Sequence, residues 1–195
     1  MSVSLKKGQK ISLTKTSAGL RSVMVGLGWD MAAKMGGLFS RKSKDIDCDA
    51  SVLLLQNGKI VHKKDIVYFG NLEHESHTVQ HQGDNLTGAG EGDDEQILIH
   101  LESVPVIYDR LVVVVNIFKA SERRQHFGMI KNAFIRIVDL QNKQELCRYN
   151  LSENYDGMTA MIFGEIYRRD GEWKFNAVGQ GTKDTSLTQL IQRYQ

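Results

Sequence analysis

The sequence predicts an all-β protein: an antiparallel β-sandwich of about ten short strands. Its runs of Val, Ile, Leu and aromatic residues are short and are separated by turn residues. A repeated alternation of strand and long helix, which would indicate a parallel sheet, does not occur. Two dipeptides typical of tight hairpins, Asn57-Gly58 and Asp170-Gly171, lie between such runs. With 195 residues and 41% hydrophobic content, the chain suits one domain with a sizeable core.

The first part of the chain is predicted to hold strands on both sides of a basic loop. Strands are expected over residues 9–13 and 22–27, and the loop over residues 31–44, which contains a Gly-Gly pair and has no clear period. Residues 45–50 alternate strictly, which places Asp45, Asp47 and Asp49 on one face of an extended segment. Residues 52–55 are all apolar, which predicts burial on both faces of that strand.

The remaining strands follow turn signals to the end of the chain. Residues 111–118 are nearly all apolar and predict a central strand. Residues 186–194 alone have helical spacing, with Leu187, Leu190, Ile191 and Tyr194 on one stripe, so we expect a short C-terminal helix. The other predicted strands cover residues 66–69, 96–101, 133–140, 145–149, 159–167 and 172–178. This pattern gives one sandwich domain over residues 1–181, with residues 31–44 as an insertion and residues 182–195 as a C-terminal extension.

Charge is distributed unevenly along the chain. Residues 1–44 carry nine Lys and Arg and one acid, a net charge of +8, and the rest carries 16 basic and 22 acidic residues, a net charge of −6. A basic arm for nucleic acid or an acidic membrane would have this character. Solvated lysines on edge strands and on one loop explain it more simply. We therefore expect no nucleic-acid partner, and the basic-aromatic patch at residues 123–127 is interpreted as a solvated turn.

Cysteine usage and hydropathy predict a soluble cytoplasmic protein. Cys48 and Cys147 lie far apart in apolar runs, where a free cysteine commonly acts as a small core residue. The N-terminus lacks the apolar region of a signal peptide. The longest strongly apolar run, at residues 111–118, is far too short to cross a bilayer, so no transmembrane segment is expected.

Residues 84–95 have the composition of a cation site. They hold five carboxylates, one Asn and three glycines, and no basic residue. Calcium takes six to eight oxygen ligands from carboxylates, amides and backbone carbonyls, and glycines let the backbone curl around one centre. Without a cation, the carboxylates at residues 91–95 would repel one another. The loop therefore predicts a hard divalent cation, with calcium favoured.

Two standard loop motifs do not fit residues 84–95. In an EF-hand of this length, Leu86 and Gly88 would occupy ligand positions and Ala89 would stand where a glycine is required. A phosphate-binding loop would carry a lysine, and the acids here would repel phosphate.

Other chemical motifs are weaker. His74, His77 and His81 lack the HExxH spacing of a zinc helix, so a solvated histidine-rich loop is favoured over a zinc site. No Ser, His and Asp spacing resembles a nucleophile elbow. We therefore expect no enzymatic activity. The alternative is a Mg²⁺- or Mn²⁺-dependent hydrolase, in which Asp93 or Glu95 holds the metal that activates water.

Several motifs together resemble the TerD family of tellurium-resistance and general stress proteins. They occur in the family's order along nearly the whole chain. The N-terminal motifs are VGLGWD at residues 25–30, DCDAS at 47–51, GDNLTG at 83–88 and GDDE at 92–95. The C-terminal motifs are NAFIR at residues 132–136, FGEIY at 163–167, EWKF at 172–175 and VGQG at 178–181.

This resemblance implies a bacterial, cytoplasmic, calcium-binding β-sandwich with two neighbouring calcium ions. It implies a role in resistance to tellurite and other stresses, through assembly with other proteins of the same stress operon at the inner face of the membrane. The leading hypothesis is a calcium-dependent interaction or scaffold module without enzymatic activity. The chain departs from the family in its longer basic loop at residues 31–44 and in Cys48, which stands where the family commonly has Leu.

The resemblance also joins residues from separate strand ends into one candidate site. A sandwich gathers such strand ends and loops at one end, so metal-binding loops are expected there. Asp45 falls outside the family pattern and is left out. The candidate metal ligands are Asp30, Asp47, Asp49, Asn71, Asp84, Asn85, Glu91, Asp93, Asp94 and Glu95.

Overall fold

Two six-stranded sheets pack against each other in the computed structural model, which describes residues 2–31, 46–83 and 92–195. The strands are β1 (Val3–Leu5), β2 (Lys10–Ser12), β3 (Val23–Met31), β4 (Cys48–Leu55), β5 (Ile66–Val67), β6 (Val79–His81), β7 (Glu95–Ile99), β8 (Arg110–Ile117), β9 (Ile130–Asp139), β10 (Glu145–Asn150), β11 (Ala160–Arg169) and β12 (Glu172–Thr182). The α-helices of the described residues are α1 (Leu13–Thr16), α2 (Ala120–Arg123) and α3 (Leu187–Ile191).

The sheets have the order β1-β10-β9-β3-β7-β6 (sheet A) and β2-β12-β11-β8-β4-β5 (sheet B). Neighbouring strands are antiparallel except β1 and β10, which are parallel. The predicted all-β, mainly antiparallel sandwich with a short C-terminal helix is confirmed. The main core lies between the two sheets.

Strand β4 is buried on both faces, as its apolar run predicts. Cys48 and Ala50 belong to the main core, whereas Leu53 and Leu55 belong to a second apolar cluster on the outer face of sheet B. Helix α3 covers that second cluster with the fully buried Leu190. A helix layer over the sheet therefore explains why the alternation expected of a half-exposed strand is lost here.

Both predicted hairpins are confirmed. Asn57 and Gly58 have φ values of 52° and 80°, and they lie between the bridged residues Gln56 and Lys59. Asp170 and Gly171, with φ values of 56° and 73°, connect β11 to β12. Positive φ at both central residues is what a type I′ turn requires, and it explains why these dipeptides occur at these positions.

The structure differs from the predicted elements near the N-terminus. The strand predicted over residues 9–13 ends at Ser12, because the Ser12 hydroxyl accepts a hydrogen bond from the Lys15 amide and caps α1. Strand β3 extends to Met31, since Asp30 pairs with Lys131 of β9. Strands β1 and β6 and helices α1 and α2 were not predicted. Residues 32–45, which hold nearly all of the predicted basic loop, lie outside the described residues.

The C-terminal segment docks as the predicted amphipathic helix. Ser186 caps α3 by accepting a hydrogen bond from the Gln189 amide at 3.3 Å. Tyr194 packs against the second cluster, and Arg193 forms an ion pair with Asp184 at 2.8 Å. The extension is therefore held by apolar packing and by a salt bridge.

Both cysteines are buried and free, as expected of core residues. The described part of the chain contains no helix with the length and apolarity needed to cross a membrane.

Candidate metal centre

The strand ends that carry most of the predicted ligands meet at one end of the sandwich. Strand β3 ends there, and β4 and β7 begin there. The Asp94 amide donates to the Leu27 carbonyl at 2.7 Å, which ties the start of β7 to β3. The Glu95 carboxylate accepts from the Ala50 amide of β4 at 3.4 Å and links the two sheets.

Asp94 and Asp30 form an acidic pair beside the end of β3. The Trp29 amide donates to Oδ2 of Asp94 at 2.7 Å, so the backbone fixes this carboxylate next to Asp30. Burial raises the pKa of Asp94, and the charges of Asp30 and Asp93 also raise it, although the hydrogen bond from the Trp29 amide acts in the opposite direction. Asp30 is exposed and accepts a hydrogen bond from the side-chain amide of Asn132 at 2.7 Å. Two carboxylates whose charges repel each other form a place where a cation would relieve repulsion.

Asp93 has a different environment, on the outer face of sheet A. Its side chain is fully buried, and Arg136 binds it with two parallel hydrogen bonds, Nε to Oδ1 at 2.7 Å and Nη2 to Oδ2 at 2.9 Å. A Cβ at Gly26 would overlap the Asp93 carboxylate, so glycine provides the space for this pair. A metal ion at Asp93 would have to displace a bidentate guanidinium, which is a strong partner for a carboxylate.

Glu95 lies inside the sandwich with a histidine. Its Oε2 is 2.9 Å from Nε2 of His81, and both side chains are 1% exposed. The same His81 nitrogen lies 3.2 Å from the Ala50 carbonyl. Glu95 and His81 therefore bracket both polar groups of the Ala50 backbone and hold the two sheets together at this end.

Asp47 and Asp49 share one face of the chain, as their alternation predicts. Asp49 accepts a hydrogen bond from the side-chain amide of Asn116 at 3.3 Å, and Nη1 of Arg123 lies 3.4 Å from Oδ2 of Asp47. This face is the outer one, because Cys48 between them points into the main core. Burial raises the pKa of Cys48 well above its usual range, and the charges of Asp49, Asp47, Glu95 and Asp94 contribute in the same direction.

Of the other four predicted ligands, the structure describes only Asn71. Asn71 uses its side-chain amide to donate to the Ile66 carbonyl at 2.8 Å, which closes its own turn. Asp84, Asn85 and Glu91 lie outside the described residues.

The described donors fit a hard divalent ion in type but do not complete a site. In residues 2–31, 46–83 and 92–195, no three acidic, histidine or cysteine side chains are grouped as metal ligands. Calcium needs six to eight oxygens. Asp30 and Asp94 supply oxygen ligands at the end of the sandwich. The further oxygen ligands would come from residues 84–91, which precede Asp94 in the acidic loop.

His74, His77 and His81 each lie beside a different carboxylate. His74 lies 3.5 Å from Asp65, His77 3.0 Å from Glu73, and His81 pairs with Glu95. They do not form one zinc centre. The expectation of a solvated histidine loop is wrong for His74 and His81, which are 1% and 5% exposed. His74 is held there by Asp65, by the Ser76 hydroxyl at 2.7 Å and by edge-to-face packing on Tyr108.

Sequence reasoning missed the roles of Arg136 and His81. Arg136 lies in the NAFIR motif but was given no partner, because its carboxylate is 43 residues away along the chain. His81 was read as part of a polar loop. The alternation of Val79 and His81 around the polar Gln80 is a strand signal that would have predicted its burial.

The family model described as TerD domain matches residues 1–194. The chain is 57% identical to stress response protein SCP2 of Bacillus subtilis over the full length of both chains. It is 48% identical to general stress protein 16U of Bacillus subtilis, covering 93% of this chain and 91% of that protein. It is 47% identical to tellurium resistance protein TerD of Serratia marcescens, with the same shares covered.

Solved structures share the fold at low sequence identity. A crystal structure of a protein of unknown function superposes with a TM-score of 0.69 at 23% identity, covering 91% of this chain and 99% of the other. A TerD homologue from Streptomyces coelicolor A3(2) gives a TM-score of 0.63 at 21% identity, covering 85% of this chain and 92% of the other.

Proposed function

The chain belongs to the TerD domain family, and from this premise we propose that it is a calcium-binding stress-response protein. Calcium orders the acidic loop at the end of the sandwich. The ordered end then serves as a calcium-dependent interaction or scaffold surface. The stress role is supported by relatives named stress response, general stress and tellurium resistance proteins at 47–57% identity.

The observation that carries the calcium proposal is the pairing of Asp30 with Asp94. The Trp29 amide holds Asp94 beside Asp30, and the two negative charges repel each other there. A divalent cation removes this repulsion and gains oxygen ligands without moving the strands. The loop at residues 84–91 adds Asp84, Asn85 and Glu91 in this proposal, and the abundance of donors along the chain supports two ions.

Metal binding without catalysis is favoured over a hydrolase, because the two carboxylates that a hydrolase would use already have partners. Asp93 has both oxygens on Arg136, and Glu95 is paired with His81 inside the sandwich. Neither carboxylate is left for a catalytic Mg²⁺ or Mn²⁺ without breaking a buried pair. We therefore assign Asp93 and Glu95 to holding the site in place and Asp30 and Asp94 to the metal.

The proposed setting is the cytoplasm, at the inner face of the membrane. The proposed partners are other proteins of the same stress operon. No nucleic-acid partner is proposed: Arg123 at the end of α2 lies beside Asp47 and over the Phe118 ring, so its charge is used within the fold.

Isothermal titration calorimetry on chelator-treated protein tests this function. The proposal predicts saturable calcium binding with about two ions per chain, and weaker binding of Mg²⁺, which demands a stricter octahedral geometry. Asp94→Asn removes a charge but keeps an oxygen for the Trp29 amide, so the fold is retained. Asp94→Asn and Asp30→Asn should each weaken calcium binding.

Asp170→Asn, in the exposed β11–β12 turn, is the matched control and should leave binding unchanged. Absence of calcium binding heat in the wild-type protein, or equal affinities for the Asp94 and Asp170 variants, would overturn the proposal.

A further inference from the structure

A groove runs over the outer face of sheet B beside helix α3. It encloses about 780 Å³, which is within the range of small-molecule sites. Its floor is formed by β4 and β8, one wall by residues 60–69 and the other by α3. The beginning of α2 lies at the rim. We refer to this cavity as the outer groove.

The floor of the outer groove presents three polar side chains from β4 and β8. Asp49 and Asn116 are directly opposite each other in the β4–β8 register, and Ser51 lies two residues further along the same face of β4. Ser51 is fully buried and Asn116 is 7% exposed. The three side chains therefore converge on one small patch below the opening.

Two buried oxygens on this patch have no hydrogen-bond partner among the described residues, Ser51 Oγ and Asn116 Oδ1. The orientation of Asn116 is set by its neighbour: a carboxylate can only accept, so the amide nitrogen donates to Asp49 at 3.3 Å. The remaining Asn116 atom facing the groove is then an acceptor. Buried acceptors without donors are costly, and in native proteins each needs an explanation.

The walls supply apolar side chains and aromatic faces, and the charged residues Lys63, Lys119 and Glu122 also line the groove. Phe69 and Val61 are 48% and 52% exposed, which is unusual for large apolar side chains. A compound with an apolar body would cover them. The apolar lining residues include Ile60, Val61, Ile66, Phe69, Leu187 and Ile191.

We propose that the outer groove binds a small organic ammonium ion with an apolar body. Its N–H groups donate to Asn116 Oδ1 and Ser51 Oγ, beside the negative charge of Asp49. The body lies between Phe69 and the side chains of α3, where an aromatic face also favours a cation. The acceptors and the carboxylate on the floor exclude anionic groups from this position. This inference does not depend on calcium binding at the end of the sandwich.

Titration of the full-length protein with hexylammonium tests the proposal, with the Asn116 side-chain amide observed by ¹H–¹⁵N NMR in chelator. Hexanol and hexanoate are the comparison compounds, since they share the apolar body but lack the charged donor. We expect a saturable shift with hexylammonium, and binding of hexanol weaker by about tenfold, the loss of one charge-assisted interaction. Hexanoate should not shift the signal.

Two matched pairs of variants locate the site. Ser51→Ala should weaken hexylammonium binding by about tenfold, whereas Ser4→Ala on the exposed edge strand β1 should not. Leu187→Trp fills the groove and should abolish binding, whereas Leu72→Trp, at an exposed position outside the groove, should not. Thermal melts confirm that all four variants fold.

The proposal is overturned if hexylammonium gives no saturable shift. It is also overturned if hexanol binds as tightly as hexylammonium, because the groove would then recognise only the apolar body. Equal affinities for the Ser51 and Ser4 variants would also overturn it. Repeating the titration with calcium separates the two proposals: hexylammonium binding in chelator stands whether or not calcium binds elsewhere.

Discussion

Replacing Asp93 with Ala should lower stability equally with calcium and with chelator. The Asp93 side chain is fully buried and is bound by Arg136 at 2.7 and 2.9 Å, so its removal leaves the guanidinium with only the longer contact to Glu145 at 3.4 Å. If Asp93 were instead a calcium ligand, the loss would appear mainly in the calcium-loaded protein. The two roles therefore give different results in one pair of measurements.

The size of the effect follows from the burial of the pair. Breaking a buried ion pair by removing one partner costs about 3–5 kcal/mol in free energy of unfolding. Arg136 is 28% exposed, can be partly rehydrated and keeps its contact with Glu145, so we expect the low end, about 3 kcal/mol. In a chain of this length that corresponds to a fall in Tm of roughly 6–12 °C.

A double-mutant cycle with Gly26 makes the assay specific for this contact. Gly26→Ala alone should cost about 1–3 kcal/mol, because the new methyl group overlaps the Asp93 carboxylate and strains the pair. In Asp93→Ala the carboxylate is gone and the methyl group has room, so Gly26→Ala should cost little. Urea unfolding of the four proteins should show a coupling free energy of at least about 1 kcal/mol.

Two results would refute this reasoning. Additive losses within about 0.5 kcal/mol would mean that Gly26 and Asp93 do not compete for the same space. A loss for Asp93→Ala seen only in calcium would mean that Asp93 stabilises the fold through a metal ion.

Three further outcomes are expected. Leu190→Ala should lower the free energy of unfolding by about 2–5 kcal/mol in urea titrations, because this side chain is fully buried under α3; a loss below about 1 kcal/mol would contradict its packing role. Burial alone would raise the pKa of Asp184, but hydrogen bonds from Arg193 and Thr182 lower it. Docking of α3 should therefore weaken as the pH falls below 3.8, the usual pKa of an aspartate. Hydrogen exchange of α3 should report this acid-dependent opening, and Asp184→Asn should remove it. Cys147, whose pKa burial raises to about 12, should react with a thiol reagent only on unfolding, and reaction at the rate of free cysteine would contradict its burial.

The fold could be predicted largely from local patterns. The two hairpins carry their own signal, because Asn-Gly and Asp-Gly supply the positive φ that their turns need. The all-apolar run in β4 correctly indicates burial on both faces, and the stripe ending at Tyr194 indicates the helix that covers the outer face. Helix α1 could not be predicted from periodicity, because it is only four residues long and depends on the Ser12 cap.

The sequence predicts which acidic residues belong to the candidate site, but it does not predict which partner each of them binds. Asp93 and Asp94 are adjacent acids, yet one binds Arg136 and the other the Trp29 amide beside Asp30. That difference depends on β9 and β3, which pair with each other and lie far from the loop in sequence. His81 was missed for the same reason, since its partner Glu95 comes from the neighbouring strand.

Thermal unfolding with excess calcium and then with chelator tests calcium binding most directly. At free calcium about a hundredfold above Kd, binding adds roughly 2.7 kcal/mol to the folded state. For a chain of this size that raises Tm by roughly 5–11 °C. The wild-type protein should show this difference, and Asp30→Asn and Asp94→Asn should reduce it. Equal Tm values for the wild-type protein in calcium and in chelator would contradict the account.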